Sequence, residues 1–331
     1  MGLHAALAAT GLHAALGATH PTPLTWVQAI VMGLLQGIAE MFPISSLGHT
    51  VLVPAWLGWH NLVNSQSRSQ SFYLAFVVGL HVATALALIV FFWRDWVRII
   101  GGLLTSIRDR RIETPPQRLA WLLVVATIPA GIMGLIFENK LRTQFAKPIF
   151  AAVFLTINGG ILLLGERLRR QDAVRQLATR HGEVAPAGSS GGGMSTDPAG
   201  AGPRRRLDTL EMREAGIIGV AQVLPLIAGI SRSGITMVAG LLRGLDHEDA
   251  ARFSFLLATP VILAAGLLEL PDLTGHLGKG VHGQILVGCI FAAVAAYVSV
   301  RFLIRYFETK TLTPFAIYCL IAGVISIARF A

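Results

Sequence analysis

Two cysteines in 331 residues are too few for a disulfide framework, and neither Cys289 nor Cys319 has the ligand-spaced neighbours of a zinc site. Redox chemistry is not indicated. Charge is scarce as well: 14% charged residues against 53% hydrophobic ones, with a mean hydropathy of +0.63, exclude an ordinary soluble domain. Acidic residues are the rarer sign, 18 against 27 Lys and Arg. The resulting charge of +9 sits mostly on arginines between apolar stretches, which fits anionic headgroups and membrane topology and gives no reason to expect a nucleic-acid partner. Residues 1–20 lack a basic start, so G-L-H-A-A-L-A-A-T followed by G-L-H-A-A-L-G-A-T reads as a disordered or interfacial extension instead of a signal peptide. Ala6 stands where a myristoylation signal after Gly2 wants Ser or Thr, so no lipid anchor is implied.

What the chain has in abundance is apolar sequence of spanning length. The runs 72–93, 119–137, 148–165, 252–270, 284–304 and 313–330 predict six crossings and an all-α polytopic membrane protein. Arginines crowd two connections, 94–118 and 166–212, which are therefore expected in the cytoplasm, leaving 138–147 outside. Residues 171–209, rich in Gly, Ser, Pro and Ala, read as a disordered cytoplasmic linker. It separates a first membrane repeat, 21–170, from a second, 210–331.

The repeat shows in two polar stretches set in apolar sequence. G-I-A-E-M-F-P-I-S-S-L-G (37–48) aligns with G-V-A-Q-V-L-P-L-I-A-G-I-S-R-S-G (219–234), so that Gly37, Ala39, Glu40 and Pro43 fall on Gly219, Ala221, Gln222 and Pro225. Each then runs into a Ser-rich break. Residues 213–243 number about 31, where a double crossing needs about 40, so this piece and its counterpart at 24–59 predict re-entrant hairpins. The first precedes an outside-to-inside span and the second follows a cytoplasmic linker, so they enter from opposite faces. Each half is then one hairpin plus three spans, and the halves form an inverted repeat whose binding site lies where the broken helices meet.

Gln36 and Glu40 share one helical face, and a carboxylate at membrane depth needs a cationic partner. Past the first break stand Ser45, Ser46 and His49. The second break holds Ser231, Arg232, Ser233, Gly234 and Thr236, where a guanidinium fork, hydroxyls and helix N-terminal amides suit a phosphate group. Plain structural readings compete: a serine opening a half-helix caps it, and Glu40 and Arg232 satisfy each other as an ion pair. As a chemical set, these groups bind and cleave phosphate esters or anhydrides.

Q-G-I-A-E-M-F-P-I-S-S-L-G-H and A-G-I-S-R-S-G-I-T resemble the two signature motifs of the bacterial undecaprenyl-diphosphate phosphatases, the bacitracin-resistance family. The similarity continues through 126–138, 242–260 and 314–318 and spans nearly all of the chain outside residues 1–20 and the linker. Ala228 replaces the usual Pro, Leu47 a frequent Thr, and Gln36 a Glu that some members also lack. The resemblance implies hydrolysis of undecaprenyl diphosphate to the monophosphate and phosphate, for recycling of the cell-wall lipid carrier in peptidoglycan synthesis. It implies a divalent cation, Mg2+ or Ca2+, with Glu40 as a ligand, in the bacterial plasma membrane with the site facing outward. Bacitracin then competes by binding the substrate, and a homodimer is a further expected assembly. In this reading Ser46 attacks with His49 as proton carrier, or His49 attacks directly; the sequence leaves both open. Type 2 phosphatidic acid phosphatases are excluded because no histidine follows Ser231-Arg232 at their spacing. A polyprenyl-phosphate transporter or flippase remains the alternative, since inverted repeats with broken helices are also a transporter architecture.

Overall fold

The computed structural model describes residues 24–66, 72–145, 147–183, 207–274 and 280–331, and the expected N-terminal extension lies outside them. All regular elements among the described residues are helices: α1 (Trp26–Met41), α2 (Ser46–Trp56), α3 (His60–Gln66), α4 (Phe72–Phe91), α5 (Trp93–Asp109), α6 (Pro115–Phe145), α7 (Pro148–Glu183), α8 (Met212–Ala221), α9 (Arg232–Leu241), α10 (His247–Thr274), α11 (His282–Phe307) and α12 (Thr313–Phe330), with single 3-10 turns at Leu207–Thr209 and Leu224–Leu226. Five helices are long and apolar enough to cross a membrane, within α6, α7, α10, α11 and α12. The sixth expected crossing corresponds to α4, which with α5 forms a pair bent by 86°. The chain is an all-helical, multi-pass membrane protein.

Part of the basic connection 94–118 is thus a helix. Trp93, Val97, Ile100, Leu104 and Ile107 of α5 are exposed at spacings of three and four, so they form one apolar stripe, while Ile99, Gly102 and Ser106 are buried on the other side. Such a helix, turned sharply from the preceding span and flanked by arginines, is suited to lie along a membrane surface.

Two more differences concern the linker. The segment 171–183 continues α7 as helix, and Leu207 is buried with its amide donating to Asp249 Oδ2 at 2.8 Å. Only 184–206 of the expected linker falls outside the described residues.

The two broken helices are positioned by close crossings. α1 begins with a capping box in which Thr25 Oγ1 accepts from the Gln28 amide at 3.2 Å and Gln28 Oε1 accepts from the Thr25 amide at 3.0 Å. It packs along α11, where a Cβ on Gly37 would collide with the carbonyl of Ala292. α8 packs along α6, where a Cβ on Gly219 would meet the carbonyl of Ala126. These aligned glycines each let a broken helix settle onto a helix of the other half. α7 packs along α12, and α4 lies between α10 and α11.

Candidate functional site

Pro43 lacks an amide donor and forces Phe42 into extended backbone (φ −70°, ψ 143°), which ends α1. Ser45 then adopts φ 71°, a left-handed conformation rare for a residue with a Cβ. The strain is held by three contacts: Ser45 Oγ accepts from the amides of Gly48 and Gly229, each at 3.2 Å, and its carbonyl meets His49 Nδ1 at 2.7 Å. Gly229 belongs to the second break, so this one hydroxyl ties the breaks together. In the second break Ser231 caps α9, its Oγ accepting from the Gly234 amide at 3.1 Å and lying 3.1 Å from Ser233 Oγ. Ser233 donates to the Phe42 carbonyl at 3.2 Å.

Glu40 occupies the centre and is buried. Ser46 Oγ donates to its Oε2 at 2.5 Å and Gln36 Nε2 donates to the same oxygen at 3.1 Å, while the Arg232 guanidinium pairs with Oε1. Arg232 also donates to the Ala258 carbonyl at 3.4 Å. The ion pair and the capping serines anticipated as structural roles are therefore real, and the same atoms form the polar cluster.

Not every expected pairing forms. Ser46 donates to Glu40 and not to His49, whose ring nitrogens meet the Ser45 carbonyl and, at 2.7 Å, the Tyr318 hydroxyl. Tyr318 also stacks on the imidazole, with centroids 5.7 Å apart. Thr236 turns its hydroxyl back to the Arg232 carbonyl. Gln222, the counterpart of Glu40 in the repeat, faces α6 and donates to the Ala126 carbonyl at 2.9 Å.

Three site residues escaped the sequence reading. Tyr318 on α12 is one, and Asn158 on α7 is the second: fully buried, it donates to the Pro43 carbonyl at 3.1 Å and accepts from the Ser231 amide at 3.0 Å. His81 on α4 is the third, with Nε2 at 3.4 Å from Glu40 Oε2. Each is an isolated polar residue in an apolar run, and that isolation was the available signal.

The family model described as bacitracin resistance protein BacA matches residues 29–325. The chain belongs to that family. Among its BacA relatives, undecaprenyl-diphosphatase 2 of Frankia alni is 59% identical, over 93% of this chain and 98% of its own. Undecaprenyl-diphosphatase of Mycolicibacterium paratuberculosis is 55% identical at the same coverage, and undecaprenyl-diphosphatase 2 of Chromobacterium violaceum is 42% identical over 91% of this chain and 97% of its own. Both BacA signature segments lie inside the matched region. No group of three or more His, Cys, Asp and Glu gathers as a metal cage among the described residues. One carboxylate with neighbouring neutral oxygens still fits a hard divalent ion that takes its other ligands from substrate and water. The buried Gln36 Oε1, which has no hydrogen-bond partner, is such an oxygen.

Proposed function

We infer that this chain hydrolyses undecaprenyl diphosphate to undecaprenyl phosphate and inorganic phosphate, returning the lipid carrier to cell-wall synthesis and conferring bacitracin resistance. The observation that carries this reading is the Ser46–Glu40–Arg232 cluster: a hydroxyl donating to a carboxylate, and a guanidinium on that carboxylate's other oxygen, where two broken helices meet. Its relatives are named for this reaction.

Chemistry follows from the contacts. Ser46 Oγ attacks the terminal phosphorus and its proton passes to Glu40 Oε2, the nearest acceptor. The bond from that phosphorus to the bridging oxygen breaks, and undecaprenyl phosphate leaves with the electron pair. Water then attacks the phosphoserine, Ser46 recovers its proton from Glu40, and phosphate departs carrying one proton of the water while the other leaves to solvent by way of His49. The donors of Arg232 not held by Glu40 and Ala258 face charge on the equatorial phosphoryl oxygens. His49, its ring fixed by Ser45 and Tyr318, orients the first break and exchanges protons with the water of the second step. A divalent cation held by Glu40 and Gln36 Oε1 would supply charge neutralisation of the diphosphate.

The architecture we propose is an inverted repeat, α1–α2 answering α8–α9. Two observations support it: the paired capping serines Ser45 and Ser231, each accepting from the glycine amide three residues on, and the exchange of α1 onto α11 for α8 onto α6. The second break is four residues longer, which the turn at Leu224–Leu226 accommodates. The protein then sits in the plasma membrane with Ser46 reached from the outer face. The test is phosphate release from undecaprenyl diphosphate by the purified protein in detergent, with Ser46→Ala alongside. Turnover in the wild type and its loss in the variant are expected; no release by the wild type would favour a polyprenyl-phosphate carrier.

A further inference from the structure

We propose that α5 is a docking surface for anionic phospholipid, on which Arg94 and Arg98 receive headgroup phosphates of the leaflet that takes its apolar stripe. The proposal goes beyond the phosphatase reading above and does not depend on it.

The residues of α5 divide into sectors. At about 3.6 residues per turn, Trp93, Val97, Ile100, Leu104 and Ile107 point one way, and all five are more than half exposed. Ile99, Gly102 and Ser106 are buried on the far side, where α5 packs on α6. On one flank Trp96 and Leu103 are partly buried against the core. Arg94, Arg98 and Arg108 occupy the other flank, about a quarter-turn from the stripe, with Gly101 among them. Because protein already covers the side away from the stripe, the arginines stand beside the apolar residues, which lets the stripe meet acyl chains while the flank stays at the level of the phosphates. The bend supports that placement. α4 lies between the candidate spans α10 and α11, and α5 leaves it at 86°, along a bilayer and not through it.

The acidic residues of α5 do not neutralise the arginine flank. Asp95 is held by Arg252 at 2.7 Å, and Asp109 by Arg108 at 2.7 Å. Arg94 stacks over Trp93 with 5.3 Å to the ring centroid, and among the described residues neither it nor Arg98 pairs with a carboxylate. Their four-residue spacing sets two guanidinium groups side by side. A Cβ on Gly101 would meet no atom within 4 Å, so the flank between them is open. Guanidinium binds phosphate through paired donors, and two of them without a carboxylate favour a headgroup of net negative charge. Phosphatidylglycerol has that charge, whereas phosphatidylcholine offsets its own phosphate with an ammonium.

The experiment uses the full chain with Cys289 and Cys319 replaced and a fluorophore on Val97→Cys, reconstituted into phosphatidylcholine vesicles. Nitroxide-labelled phosphatidylglycerol or phosphatidylcholine of the same acyl chain is then titrated in, and the quenching reports which lipid lies against α5. Phosphatidylglycerol should associate at least ~3-fold more strongly. The preference should shrink toward parity at about 1 M salt, where the screening length is ~3 Å. It should also approach parity in Arg94→Gln with Arg98→Gln, and persist in Arg110→Gln with Arg111→Gln, which removes equal charge beyond the flank. A fluorophore on Ile290→Cys, exposed on α11, should show no preference. Arg98→Gln alone replaces the double variant if that one does not elute as a single folded species, and should lose at least half of the preference. A label at Val97→Cys that neither lipid quenches means that another copy or another protein covers the stripe, and overturns the proposal. Equal quenching by the two lipids overturns it as well, as does a preference that survives high salt or the loss of Arg94 and Arg98.

Discussion

Replacing Asn158 by leucine is the sharpest test of how the two breaks are held. The side chain is fully buried and close in size to leucine, so the change leaves packing nearly intact and removes three hydrogen bonds, of which the one to Cys319 Sγ at 3.4 Å is weak. The Ser231 amide, at 3.0 Å from Asn158 Oδ1, would then be a buried donor with no replacement, costing about 1–3 kcal/mol. The Pro43 carbonyl keeps a weak partner in Cys319 Sγ at 3.8 Å, so its loss belongs at about 1 kcal/mol. The total, about 2–4 kcal/mol, corresponds to a fall in unfolding midpoint of roughly 3–6 °C, at about 2.1 cal/mol/K of unfolding entropy per residue over a chain of this size. Phosphate release should fall at least ~10-fold even below the melting transition, because Ser46 and Arg232 each follow directly on a break that Asn158 fixes. Asn158→Asp retains the acceptor for Ser231 and loses the donor to Pro43, so it should fall between wild type and Asn158→Leu. The assays are thermal unfolding in detergent and steady-state turnover on the same preparations. A midpoint within about 1 °C of wild type, with turnover within about twofold, would refute the reasoning.

Arg232→Lys keeps the charge and loses the planar fork, so its activity should drop nearly as far as that of Arg232→Ala; a fully active lysine variant would remove the clamp. Glu40→Gln should abolish phosphate release or raise the required cation concentration, whereas Gln36→Glu should be tolerated, as titration of activity against Mg2+ and Mn2+ will show. Tyr318→Phe removes the hydroxyl on His49 Nε2 while preserving the stack, and kcat should fall about 10-fold with KM little changed. In a background with Cys289 and Cys319 replaced, cysteine at Asn64 or Gln144 should react with a membrane-impermeant reagent in intact cells, and cysteine at Ser190 should not; the opposite pattern would invert the proposed topology. Exchanging residues 184–206 for a short flexible spacer should leave turnover within about threefold, measured on the purified variant.

The polar breaks were legible because proline, serine, glycine and arginine are conspicuous in apolar surroundings, and Gln36 with Glu40 because a four-residue spacing puts them on one face. The 3.1 Å contact between those two follows from local geometry alone. Asn158, His81 and Tyr318 were not legible as site residues, since a long apolar helix offers no phase from which to tell which side meets the hairpins. Their placement depends on helix crossings such as α1 on α11 and α7 on α12, set by glycines far from the polar motifs. Ser46 and His49 do not bond to each other here for a related reason: Glu40 and Tyr318 arrive from other helices and take up their polar atoms. α5 was hidden because its arginines were counted as topological charge, which masked the three-and-four spacing from Trp93 to Ile107. The end of α7 was hidden because Gly, Ser and Pro gather only after residue 183.

The right-angled join between α4 and α5 gives the protein a depth gauge. Were its apolar stripe to rest in the headgroup layer, with Arg94 stacked 5.3 Å over the Trp93 ring, α5 would act as a float, and α4 would hang from it as a plumb line that carries His81 a fixed number of helical turns down. A thinner or thicker bilayer moves the float with its leaflet. The hairpin bearing Glu40 is moored instead to α11, a full span with its own anchorage. The distance between His81 and Glu40 is therefore the place where a change in lipid chain length would first be felt.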